Sequence, residues 1–249
     1  MEDRTRGVLL ILLSALFFAG ATVFAKLMTS GYGSSALVVT FCRFSIGFLV
    51  TLPGAVSGKT RLTPVRRDLV ALRAITNTGA VFLFFMGIQL TTITKANLLN
   101  MTYPVFVFLA APLINSERSP RRYYLFLLLT LLGAWQVVRP AVAADIGSLA
   151  LGDLLAFCSA IAAGVAISLL REARKHDDTQ TILFYLMLLG TVINGVILFW
   201  IPLPPGPGLL LAAAGGAFGV AGQLALTTGY RYVSAAAGAL LSSSRLIFA

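Results

Sequence analysis

Apolar stretches of membrane-crossing length follow one another through this chain near 8–28, 34–54, 69–90, 94–114, 121–138, 150–170, 180–201 and 208–229, and a ninth begins near Val233. A bilayer core of about 30 Å takes about 20 helical residues to cross. The joints between these stretches (30–34, 57–67, 116–122, 139–147, 171–179 and 202–207) are short and turn-like. No soluble domain fits between them, so the pattern predicts an all-α, multi-pass membrane protein.

Composition agrees. With 58% hydrophobic and 11% charged residues, too little polar surface remains to cover a water-soluble globule. Arg4 and Arg6 before the apolar run 7–25 look like the start of a secretory signal. No small-residue cleavage site precedes Lys26, so the run is read as a retained first helix. Cys42 and Cys158 lie far apart in apolar runs, without the spacing of a disulfide framework or a metal site; no metal and no cofactor is expected.

A net charge of +10 in a soluble protein would point to nucleic acid. Here the basic residues gather in the joints, so the charge reports topology and no nucleic-acid partner is expected. With the N-terminus in the cytoplasm, Lys59, Arg61, Arg66, Arg67, Arg118, Arg121, Arg122, Arg171, Arg174, Lys175 and Arg231 fall inside, and Lys26 and Arg139 outside. The expected location is the plasma membrane, meaning the inner membrane of a bacterium.

The chain also repeats itself. Gly7, Leu9, Leu10, Ser14 and Ala15 recur as Gly152, Leu154, Leu155, Ser159 and Ala160, a shift of 152 − 7 = 145. Gly87, Leu98, Leu99 and Phe106 recur as Gly229, Leu240, Leu241 and Phe248, a shift of 229 − 87 = 142. Nearly one shift serves both ends of the copy, which separates a repeat from chance matches of Leu, Ala and Gly. The first copy, residues 1–140, holds an odd number of spans, so the second, 148–249, enters the membrane inverted. Secondary transporters are built this way, with substrate held near the midplane between the copies.

The stretch 94–120, TKANLLNMTYPVFVFLAAPLINSERSP, adds buried amides and a proline inside a span. Asn97, Asn100, Met101 and Pro104 share one face, with Lys95 and Thr102 opposite. Pro104 cannot bond the Asn100 carbonyl and crowds it, which predicts a kink at membrane depth.

Together with SALFFAGATVFAKL, FCRFSIGFL, RRDLVALRAI and LGDLLAFCSAIAAGVAISLLR, this stretch resembles the EamA-type permeases of the drug/metabolite transporter superfamily over nearly the whole chain. The resemblance implies ten helices in two inverted five-helix repeats around a central cavity, and transport of small metabolites without ATP hydrolysis. Departures from the family pattern fall at Arg245-Leu246, where a proline is usual, and at Ala163, where a tryptophan-like residue is usual. By the repeat shift Ala249 matches Val107, mid-helix. The second repeat is therefore expected to be truncated in this chain, helices 6–9 incomplete, with the remainder of the last pair lying beyond it.

All nine acidic residues, Glu2, Asp3, Asp68, Glu117, Asp145, Asp153, Glu172, Asp177 and Asp178, sit in joints or near helix ends. A cation exporter coupled to protons wants a carboxylate at mid-membrane, so that substrate class is disfavoured. Arg43 and Arg245 lie deep in their spans, as candidates for the cavity or as structural partners of backbone carbonyls. Asn77, Asn97, Asn100 and Gln223 are candidates for substrate contact or for interhelical bonding, and Tyr103 for stacking. Lys95 joins the candidates, although its face favours snorkelling outward; Arg73, one turn inside a helix end, is expected to snorkel to the interface. Tyr230 is expected at the interface, the run Ser242, Ser243 and Ser244 at a close helix contact, and Glu117 to cap a turn or pair with Arg121.

The leading reading is a secondary permease for an anionic or zwitterionic metabolite such as an amino acid or organic acid, working by alternating access. Its partners are that small molecule and the lipid bilayer, with a homodimer left open. A membrane enzyme would need convergent nucleophiles, bases or metal ligands, and the one histidine, His176, stands in a charged joint without partner spacing. A non-transporting remnant of such a permease is the other alternative.

Overall fold

A computed structural model describes residues 2–58, 62–117, 119–143 and 151–245. Lys59, Arg61, Arg118, Asp145, Leu246 and the repeat positions Phe248 and Ala249 lie outside them. The described residues form helices α1 (Glu2–Tyr32), α2 (Leu37–Val56), α3 (Arg67–Leu90), α4 (Ile93–Asn100), α5 (Tyr103–Ile114), α6 (Arg121–Ala143), α7 (Leu151–Ala173), α8 (Thr179–Leu198), α9 (Gly206–Gly229) and α10 (Ala235–Ser242). Seven segments among the described residues are long and apolar enough to cross a bilayer, α4 and α5 counting together as one. The 23-residue α6 stands beside these, where a span was expected.

The expected kink is a break. The chain leaves helix at Met101 and Thr102 and re-enters at α5, with Pro104 in the first turn of the new helix. That is the one place where proline's missing N–H costs nothing, because first-turn amides have no intrahelical acceptor. Both pieces pack on α7, so the irregular backbone lies against protein, as a lipid environment requires.

Packing follows the inverted repeat. The most extensive contacts join α3 to α7 and α1 to α9, with α2 on α8 between them. Each pair takes one helix from each copy, and the reciprocity α1–α9 against α3–α7 is what a two-fold relation demands. The glycines that reveal the repeat are its contact points. A β-carbon on Gly7 would stand 3.3 Å from the Gly229 carbonyl oxygen, and one on Gly87 would stand 3.1 Å from that of Gly152. Near the axis Gly190 receives the ring of Phe44 and Gly47 receives the thioether of Met187, both offset by 143 residues (190 − 47 and 187 − 44). Even the caps match: Thr92 accepts from the Lys95 amide and Ser234 from the Ala237 amide, each opening its short helix.

Candidate functional site

Between the copies lies a cavity of about 140 Å³. Its lining falls largely into repeat-matched pairs: Phe18 with Ala163, Thr22 with Ile167, Val81 with Gln223, Phe84 with Leu226, Asn100 with Ser242, and Tyr103 with Arg245. The cavity therefore sits on the pseudo-two-fold axis.

The structure brings together Arg43, Asn77, Asn100, Tyr103, Gln223 and Arg245 of the expected site. Lys95 and Asn97 are also buried but do not line it; Lys95 does not snorkel outward. Arg43 can lie where it does because α9 has no side chain at Gly219, where a β-carbon would stand 2.7 Å from the arginine's Cδ. Its Nη2 donates to Gln223 Oε1 at 2.8 Å, and Gln223 Nε2 donates to Thr227 Oγ1 at 3.2 Å. Arg245 Nη2 donates to Thr22 Oγ1 at 2.7 Å. Asn100 Nδ2 donates to Ser159 Oγ at 2.8 Å, and the Tyr103 hydroxyl to the Ala239 carbonyl at 3.1 Å.

Both deep guanidiniums also lie over aromatic rings, Arg43 at 5.1 Å from the Phe18 centroid and Arg245 at 5.5 Å from that of Phe84. Two ring faces of the lining, those of Phe18 and Phe84, are thus already covered by cations.

Arg73 overturns its expectation. It does not reach the interface: it is 1% exposed and lines the cavity, and none of its three guanidinium nitrogens makes a hydrogen bond among the described residues. The helical spacing Arg73–Asn77 carried the signal, since residues four apart share a face and Asn77 was already a cavity candidate. Tyr230 is likewise fully buried rather than interfacial, packed against Gly238. Ser242, expected at a helix contact, lines the cavity. No carboxylate is found among the described residues of the lining.

Glu117 pairs across the fold and not with Arg121. One carboxylate oxygen accepts from Arg171 Nε at 2.9 Å, the other from the Ala235 amide at 3.0 Å, and Arg171 Nη1 reaches the Tyr230 and Arg231 carbonyls. This ties the joint after α5 to the ends of α7, α9 and α10. Asp177 makes a second tie, accepting from the Val65 and Arg66 amides.

Comparison with known proteins decides the family, because the EamA-like transporter model matches twice, over residues 5–139 and 150–249. The chain belongs to the EamA-like transporter family. Among its relatives is the pseudopaline exporter CntI of Pseudomonas aeruginosa, 29% identical over 249 residues, covering 97% of this chain and 84% of that protein. Human solute carrier family 35 member G1 is 24% identical over 258 residues, covering 98% and 70%. A transporter of Archaeoglobus fulgidus is 30% identical over 185 residues, covering 74% and 63%. A crystal structure superposes with a TM-score of 0.74 at 18% identity, covering 97% of this chain and 85% of that one, a likeness of fold. The EamA-like chain is accordingly a multi-pass membrane transporter built of two inverted repeats.

Proposed function

We propose that this transporter is a secondary permease that carries a small anionic or zwitterionic metabolite, an amino acid or organic acid, through the cavity on its repeat axis by alternating access. Its repeats are 1–140 and 148–249, its N-terminus is cytoplasmic, and its location is the plasma membrane, the inner membrane if the cell is bacterial. The observation that carries the substrate reading is the charge of the lining: Arg43, Arg73 and Arg245 contribute to it, without a carboxylate among the described residues. A buried guanidinium left unneutralised is costly, and an anionic ligand removes that cost. Asn77, Asn100, Tyr103 and Gln223 would supply hydrogen bonds that orient it.

The test is counterflow in proteoliposomes with labelled carboxylate substrates. Arg245→Gln should weaken the carboxylate by about 1–3 kcal/mol, the range for a charge-assisted hydrogen bond. Selective counterflow of quaternary amines, unaffected by that change, would overturn the anion reading.

A further inference from the structure

Resting on that reading, we propose that Arg73 is a second anion-recognition position and that the substrate carries two separate anionic groups, one held at the Arg245 end of the cavity and the other by Arg73. The cavity's cations differ in what they already hold. Arg43 and Arg245 each spend a nitrogen on a neutral acceptor and rest on a ring. Arg73 does neither: Nε, Nη1 and Nη2 are all buried without an acceptor among the described residues. A guanidinium carries five N–H donors in a planar fork that matches a carboxylate or phosphate face to face.

A structural arginine at this depth would be expected to spend its donors on backbone carbonyls or a neighbouring acid. Here the nearest amide on the same face, Asn77 Nδ2, one turn along α3, is a further buried donor without a partner among the described residues. Arg73 and Asn77 both line the cavity, so a ligand's acceptor oxygens can supply what the protein does not.

One anionic group cannot reach both Arg73 and Arg245. The ring under the Arg245 guanidinium belongs to Phe84, and Phe84 lies eleven residues beyond Arg73 on the same helix, a rise of ~16 Å. A single arginine side chain spans less than half of that. The ligand that satisfies both ends is a molecule with two anionic groups at its extremities, such as an α,ω-dicarboxylate or an acid bearing a phosphate.

The test measures binding of the α,ω-dicarboxylates from succinate to suberate, each beside its monomethyl ester, to the intact protein in detergent micelles by calorimetry. The wild type should prefer one dicarboxylate length over its ester. Arg73→Gln should lower affinity for that dianion by roughly tenfold or more while shifting its ester less than about threefold, because the ester retains the Arg245 end. The ligand-free melting temperature of Arg73→Gln should be no lower than that of the wild type, since an uncompensated buried charge is removed. An unchanged ratio of dianion to ester, or a ligand-free protein that melts well below the wild type, overturns the second position and leaves the anion reading standing. If neither dianions nor esters bind at millimolar concentration, both fall.

Discussion

At the two places in α3 where Arg73 and Asn77 enter the cavity, the equivalent places in α9 are Gly215 and Gly219. The same backbone geometry serves opposite ends. In the first repeat it places donors in the cavity lining; in the second it clears room for other helices, Gly215 for Phe24 and Val39, Gly219 for the Arg43 side chain. Tyr103 and Arg245 make a second such contrast, a neutral phenol bonded to a carbonyl against a cation bonded to a hydroxyl. A third lies at the ends of α1 and α7: Arg171 is locked by Glu117 and two carbonyls, whereas its equivalent, Lys26, is exposed. What the copies share is packing, and what they do not share is chemistry.

The sharpest way to break this comparison is at the axis. Gly190→Ala should destabilise the protein by about 2–3 kcal/mol and Gly47→Ala by no more than about 1 kcal/mol, read as thermal unfolding in detergent. Both added methyls collide, but the Gly190 methyl meets the fully buried Phe44 ring, while the Gly47 methyl meets the flexible thioether of Met187. Equal costs would mean that the contact geometry, not the chemistry filling it, governs.

The ends of α1 and α7 offer the next test. Glu117→Ala should cost about 1–2 kcal/mol, because it frees Arg171 and leaves the first-turn amide of Ala235 without its acceptor. A double-mutant cycle with Arg171→Ala should show coupling of about 1 kcal/mol. Lys26→Ala, at the repeat-equivalent position, should change stability by less than about 0.5 kcal/mol. A large Lys26 effect would erase the difference between the ends.

The smallest effects belong to the caps. Thr92→Ala and Ser234→Ala should each cost about 1 kcal/mol, and equal losses would sharpen the case that the repeats are equivalent where only backbone is at stake. A loss confined to one cap would weaken it.

Spans, joints and repeat were legible in the sequence because each follows from local spacing: a window long enough to cross lipid, a glycine or hydroxyl recurring at one shift. The break at Met101 was half legible, since Pro104 announces a disturbance but not whether the helix bends or restarts. The cavity lining was legible for Arg43, whose depth can be counted along α2, and for Arg245, whose depth can be counted from the start of its span. Arg73 was misread because depth is measured from a helix end, and a residue one turn in reaches the interface only if no neighbour covers it. The helices that pack most extensively on α3 are α7 and α8, and both come from the other repeat. For Glu117 the cap was legible and the pairing was not: Arg121 is its neighbour in sequence, and Arg171 its neighbour in space.

The reciprocal packing of α1 on α9 and α3 on α7 bears on how the cavity could change sides. The tightest seams of the molecule run between the copies, while contacts of α2 with α3 and of α8 with α9, inside each copy, are sparse. Bodies that move as units tend to part along their weakest seam. The rigid bodies of any rocking motion should therefore be chimeric, one built around α1 with α9 and the other around α3 with α7. The covalent order of the chain then describes its ancestry better than its mechanics.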